Sequence, residues 1–257
     1  MVTQKKYQVP ALEKTLDILE YLKNNNPSSL TQIHQSLGLP KSSTYGILQT
    51  LEKRGYIRKD ATGGFNLGLK LYELGMVSVE GTDLTKEALP AMEELAYKTG
   101  FICNLGVLEG DFGVYIEKVE PASPIRLNSW KGKAIPLHCT SLGKVLLAYK
   151  EPDEIKAVLN RVNLTKNTVK TLVDKELLLQ EIMKVQEVGY AVDDEEHEPD
   201  ITCHAAPVFN HKGEVVAAVS LSGLTTWQTA EKKEVLIKDL LSAAAAISQR
   251  LGYSINY

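Results

Sequence analysis

Residues 29–67 read SLTQIHQSLGLPKSSTYGILQTLEKRGYIRKDATGGFNL, two short helical patterns joined by a tight turn and running into a glycine-tipped hairpin. The first pattern sets Leu30, Ile33 and Leu37 on one face, and Gly38 supplies the left-handed residue that ends a helix without a Cβ penalty. Pro40 and Lys41 open the second pattern, in which Ile47, Leu48 and Leu51 form the apolar stripe. Its other face carries Lys41, Ser42, Ser43, Thr44, Tyr45 and Gln49, side chains of the kinds that hydrogen-bond phosphates and base edges in a major groove. Thr31, on the first helix, joins this candidate DNA-contacting set. Tyr56 to Lys59, Gly63-Gly64 and Phe65 to Leu67 predict a hairpin, with Arg58 and Lys59 where a wing meets the DNA backbone. The whole reads as a winged helix-turn-helix that binds double-stranded DNA; the plainer alternative is a small helical subdomain with a solvated basic face.

Charge favours the DNA reading. Residues 1–75 hold ten Lys and Arg against six Asp and Glu, whereas the remaining 182 residues hold 19 against 26. A basic head on an acidic body suits phosphate binding, and the whole-chain charge of −3 conceals it. A chain of 257 residues, 44% hydrophobic, accommodates one small domain and one of typical core-bearing size. No apolar run approaches the roughly 20 residues of a membrane span, and the N-terminus MVTQKKYQVP has no apolar signal core, so a cytoplasmic location is expected. Cys103, Cys139 and Cys203 are too few and too far apart for a disulfide framework or a Cys-x-x-Cys metal pair.

Ahead of the motif, Ala11 to Leu22 aligns Leu12, Leu16, Leu19 and Leu22 at helical spacing, predicting a helix that completes the small core. After the hairpin, Leu69 to Val79 reads as a connector helix, and the expected division is 1–67 DNA-binding domain, 68–82 connector, 83–257 regulatory domain. The large domain predicts a helix from Thr85, strands at Phe101 to Leu108 and Phe112 to Val119, and a strand at Ile125 to Ser129. Helices follow at Ser141 to Tyr149, Pro152 to Leu159 and Asp174 to Val188, then strands at Ala205 to Phe209 and Glu214 to Ser222, and a final helix at Ala230 to Leu251. Hairpins interleaved with helices, without strict strand-helix alternation, predict a mixed α+β sheet with helices packed on it.

The order helix-turn-helix, connector, then PLHCTSLGK (Pro136 to Lys144) and CHAAPVFNHKGEVVAAVSLSG (Cys203 to Gly223) resembles the IclR family of bacterial transcription regulators, essentially end to end. The resemblance implies a GAF-like effector-binding domain, homodimers or dimers of dimers on a pseudo-palindromic operator, and a small organic ligand in the second domain. It implies repression of a catabolic operon relieved by that ligand, with no enzyme activity, cofactor or metal. It also implies an effector site at the positions matching the family's small-residue loop, acid, cysteine and two serines: Gly132, Ala134, Asp193, Cys203, Ser220 and Ser222. Many relatives carry arginine in mid-recognition helix where this chain has Gly46, so its operator is not to be copied from theirs.

The residues add a chemistry of their own. Pro136 to Thr140 runs into a helix start, where free N–H groups and hydroxyls attract an anion, and Ser220 and Ser222 share one strand face by period. A thiol, a carboxyl and hydroxyls near such an end suit a small carboxylate. Plainer readings stand beside this: Ser220 and Ser222 as solvent-facing strand residues, Cys203 as a small buried apolar group, His138 as a cap or core hydrogen bond, and the run Asp193-Asp194-Glu195-Glu196 as a solvated turn. Two rival functions use the same residues. A metal sensor would draw on His197, Cys203, His204, Asp193, Glu195 or Asp200, at spacings that match no compact zinc motif. A cysteine-dependent enzyme would pair Cys203 with His204 or His138, but adjacent strand residues point to opposite faces.

Overall fold

The computed structural model describes residues 9–80, 83–122 and 126–254. The chain divides into two compact units, Met1–Gly81 and Thr82–Tyr257.

In the first unit, helices α1 (Pro10–Asn24), α2 (Leu30–Ser36) and α3 (Lys41–Lys53) precede a hairpin of β1 (Ile57–Lys59) and β2 (Phe65–Leu67), and α4 (Leu69–Glu80) follows. Helix α2 starts where the sequence provides a capping box. The Ser29 hydroxyl accepts from Gln32 N–H at 3.3 Å, and Gln32 Oε1 accepts from Ser29 N–H at 2.8 Å. It ends at Gly38, whose φ of +62° only glycine adopts without strain. The core gathers Ile18, Leu22, Ile33, Leu48, Leu51, Ile57 and Phe65. The α1 stripe differs from the sequence expectation: the helix turns Ile18 and Leu22 inward, leaving Leu12 55% and Leu16 48% exposed.

The second unit is a six-stranded antiparallel sheet in the order β5-β4-β3-β8-β7-β6, sandwiched between helices. Its strands are β3 (Ile102–Glu109), β4 (Phe112–Val119), β5 (Ala134–Ile135), β6 (Ala191–Asp194), β7 (Ile201–Phe209) and β8 (Val215–Leu224). Alternation assigns the two faces. Cys103, Leu105, Ala206, Val208, Ala217, Val219 and Leu221 meet α5 (Asp83–Thr99) and α9 (Ala230–Arg250). Ala191, Ala205 and Ala218 meet α6 (Ser141–Ala148), α7 (Pro152–Arg161) and α8 (Lys175–Val188). Helix α6 approaches its neighbours so closely that a Cβ on Gly143 would lie 2.5 Å from Leu137 Cα and 2.6 Å from the Leu137 and Pro136 carbonyl oxygens.

Two expectations about this unit are corrected. No strand forms over 126–129, and Ile125 lies outside the described residues; the edge of the sheet is completed instead by Ala134–Ile135, paired with Val114 and Gly113. The acidic run is a solvated turn only in part, with Asp194 exposed and Glu195 half-buried. Asp193 and Asp194 end strand β6, Asp193 is buried, and so is Glu196, because Lys144 Nζ reaches its Oε1 at 2.5 Å.

Candidate functional site

Of the α3 residues expected to meet DNA, Lys41, Ser42, Tyr45 and Gln49 are exposed and Ser43 is half-buried. Thr44 is not on that face. It lies one turn before Leu48 on the inner stripe, fully buried, its hydroxyl donating to the Pro40 carbonyl at 3.1 Å. Helical period explains the correction: 44, 48 and 51 fall in line, so the hydroxyl that composition suggested for DNA is spent within the first turn. Gly46 is exposed, and a side chain there would meet nothing within 4 Å of its Cβ. Thr31 and Arg58 are exposed. Lys59 is exposed too, yet bridges Glu52 at 3.2 Å and sits 5.0 Å from the Phe65 ring centroid.

The second unit builds a polar row across its sheet. Asp193 on β6 pairs with Cys203 on β7, Cys203 with Ser222 on β8, and two residues along the same face Ser220 pairs with Asn104 on β3. Residues directly opposite in a ladder project to the same side. Asp193, Cys203 and Ser222 therefore reach one cavity of about 30 Å³, whose other walls are Asn104, Tyr115, Leu127, Asn128, Ser129, His197, Glu198 and Ile201. Ser220 is buried beside this row but is not a wall, and Gly132 and Ala134 are exposed and outside the lining. Gly132, at φ +87°, instead turns the chain so that its N–H donates to Tyr115 O at 2.7 Å.

Asp193 is held by its own loop: its Oδ1 accepts from Glu196 N–H at 2.8 Å and His197 N–H at 3.2 Å. Burial outweighs these donors and pushes its carboxyl up to about 7. Burial, together with the Asp193 charge, also pushes the Cys203 thiol well up, so it is no thiolate nucleophile at neutral pH. Behind the loop, Lys144 Nζ donates to Val192 O at 2.9 Å as well as to Glu196.

The histidines are dispersed. His138 Nε2 meets Thr165 O at 3.0 Å, and His204, on the opposite sheet face from Cys203, meets Gln228 Oε1 at 2.7 Å, so neither is placed as a base for that thiol. His197 Nδ1 lies 3.6 Å from Cys139 Sγ, and burial pushes that thiol up to about 12. Among the described residues no group of three or more His, Cys, Asp and Glu is arranged to hold a metal ion. The walls Asn104, Tyr115 and Leu127 to Ser129 lie outside the set expected from sequence; Asn104 shows there only as a polar break in the apolar run FICNLGVL.

Comparison with known proteins identifies the parts. Residues 11–61 match the IclR helix-turn-helix domain, and residues 76–249 match the bacterial transcriptional regulator IclR C-terminal domain. The HTH-type transcriptional regulator XynR of Escherichia coli (strain K12) is 37% identical over 248 residues, covering 95% of this chain and 98% of the relative. The crystal structure of the Thermotoga maritima IclR superposes with a TM-score of 0.77 at 32% identity, covering 96% and 100% of the two chains. An IclR homologue from Microbacterium hydrocarbonoxydans, solved in complex with 4-hydroxybenzoate, superposes with a TM-score of 0.81 at 25% identity over 94% and 98%. The chain belongs to the IclR family of transcriptional regulators, and its helix-turn-helix domain implies DNA binding. Among the described residues no helix is long and apolar enough to cross a membrane.

Proposed function

We propose that this regulator is a repressor whose DNA affinity is set by a small organic acid bound in the cavity of Asp193, Cys203 and Ser222. The row that converges there from three strands is the observation that carries the reading. The homologue that holds 4-hydroxybenzoate supports a carboxylate-bearing ligand in this domain class. No Lys or Arg stands among the described walls. Asp193, titrating near 7, supplies what a carboxylate then needs, because in its protonated form it donates a hydrogen bond to it. Ser220 stands beside this row, paired with the wall residue Asn104, while Gly132 and Ala134 lie outside the lining.

DNA is held by Lys41, Ser42, Ser43, Tyr45 and Gln49 of α3, with Thr31, Arg58 and Lys59 on flanking phosphates. Two copies on a pseudo-palindrome are the assembly we favour. The exposed apolar side chains of Val9 just before α1, of Leu12 and Leu16 on it, and of Leu69, Tyr72 and Val77 on α4 support pairing through the first unit. The ligand acts only if it binds the DNA-free arrangement better than the DNA-bound one. A thermal-shift screen of the full chain against small organic acids tests the reading, since a ligand at 100 times its Kd adds about 2.7 kcal/mol. Stabilisation by an acid that is lost in Asp193→Leu, which has no donor to offer, is the expected result; an equal shift in that variant would move the site elsewhere.

A further inference from the structure

The cavity is walled by two polar groups that have no partners among the described residues. Asn104 is 1% exposed, and its amide oxygen has no hydrogen-bond partner among the described residues; the same holds for the Ser129 hydroxyl, 8% exposed, across the cavity. A buried polar atom left unmade is costly, and two of them on the walls of one small cavity mark groups reserved for something that enters it. The Ser129 backbone is held in place, since its carbonyl accepts from Lys118 Nζ at 2.9 Å and its N–H donates to Leu127 O at 2.7 Å. Asn104 is fixed by the ladder between Lys118 and Ser220.

Resting on the effector reading above, we infer that Asn104, with Ser129, reads a hydroxyl on the ligand, so that the effector is a small hydroxy acid rather than an unsubstituted or aromatic one. A hydroxyl both donates and accepts, which is what an amide and a serine hydroxyl together can satisfy. A carboxylate cannot serve here, because it only accepts and would leave the Asn104 oxygen unmatched. Size points the same way: about 30 Å³ holds a water or two, so a compact polar chain needs less widening than a ring. The carboxylate end falls to Asp193, the hydroxylated end to Asn104.

Calorimetry on the full-length protein with propionate, lactate, glycerate and gluconate, which differ in hydroxyl number, and with 4-hydroxybenzoate, tests this. The expected result is that a hydroxylated aliphatic acid binds about tenfold or more tighter than propionate, a gap that Asn104→Leu narrows to about threefold or less. Ser129→Ala, the milder truncation, should narrow it in part, and it serves as the readout if Asn104→Leu fails to fold. Undiminished preference in these variants, or propionate or 4-hydroxybenzoate binding as tightly as the hydroxy acids, overturns the inference while leaving the cavity as the effector site. Binding unchanged in Asn104→Leu, Ser129→Ala and Asp193→Leu alike, or no binding of any of the five acids, overturns both.

Discussion

Lys144 and Glu196 form an ion pair at 2.5 Å with the lysine side chain 1% exposed, and the pair fastens α6 to the loop that presents Asp193. The second Glu196 oxygen has no partner among the described residues. Removing only the cation leaves a carboxylate stranded in the interior, so Lys144→Met should destabilise the second unit by about 3–5 kcal/mol in denaturant titrations. The double variant Lys144→Met, Glu196→Met should recover most of that stability, since no uncompensated charge remains. A double variant as unstable as the single one would mean that packing, not charge, holds the loop.

Asp193 gives the stability a pH dependence whose sign is fixed. Its carboxyl titrates at the ordinary 3.8 when unfolded and at about 7 when folded, so between these values only the folded state holds the proton. Its contribution is full below 3.8, is lost as pH rises toward 7, and levels off above. His138 and His204, both buried, and the half-buried His197, all pushed down by desolvation, act oppositely and lose stability as pH falls below about 6.5. The test is therefore a difference curve: the stability of Asp193→Asn relative to wild type should rise between pH 4 and 7 and then plateau. A flat curve would remove the shifted carboxyl. Through the same proton, affinity for an acid ligand should weaken as pH rises past about 7.

Gly46 lies on an exposed helical surface with nothing near its missing Cβ. Gly46→Ala should stabilise the first unit by about 1 kcal/mol, and Gly46→Arg should in addition tighten DNA binding and steepen its salt dependence by about one phosphate's worth. Anisotropy titrations at several salt concentrations read both. An arginine variant with unchanged affinity would turn that helix face away from DNA.

Thr44 and Lys41 separate core from interface on the same helix. Lys41→Ala with Arg58→Ala should weaken binding to every duplex and flatten the salt slope by about 0.9 for each phosphate no longer neutralised. Thr44→Ala should cost about 1 kcal/mol of stability and leave the affinity of the folded protein unchanged. The reverse pattern would put Thr44 in the groove.

Where a local signal suffices, sequence and structure agree: Gly38 closes α2, and the helix expected over Asp174 to Val188 forms between the Asp174 cap and Gly189 at φ +81°, each set within a turn of chain. The misses share a physical cause, in that they depend on what packs against the segment. Leu12 and Leu16 match a helical stripe as well as Ile18 and Leu22 do, and only the partners of α1 decide which set is buried. Strand β6 is four residues of mixed acid and apolar, which sequence cannot tell from a turn until Lys144, 48 residues away from Val192, supplies the compensating charge. Asp193, Cys203 and Ser222 are legible through resemblance. Asn104 and Ser129 are not, since a polar residue in an apolar strand is distinctive only once the cavity is known.

The central claim, that a ligand at Asp193 governs the DNA grip of α3, is tested most directly by one titration. The full-length protein is bound to a labelled duplex from the region upstream of its own gene, with and without the acid that gives the largest thermal shift. We predict that the acid weakens DNA binding at least fivefold, roughly the size of an ordinary allosteric coupling, and that Asp193→Leu binds the same duplex normally but loses this response. DNA affinity indifferent to a bound acid, or a response that survives in Asp193→Leu, would contradict the account.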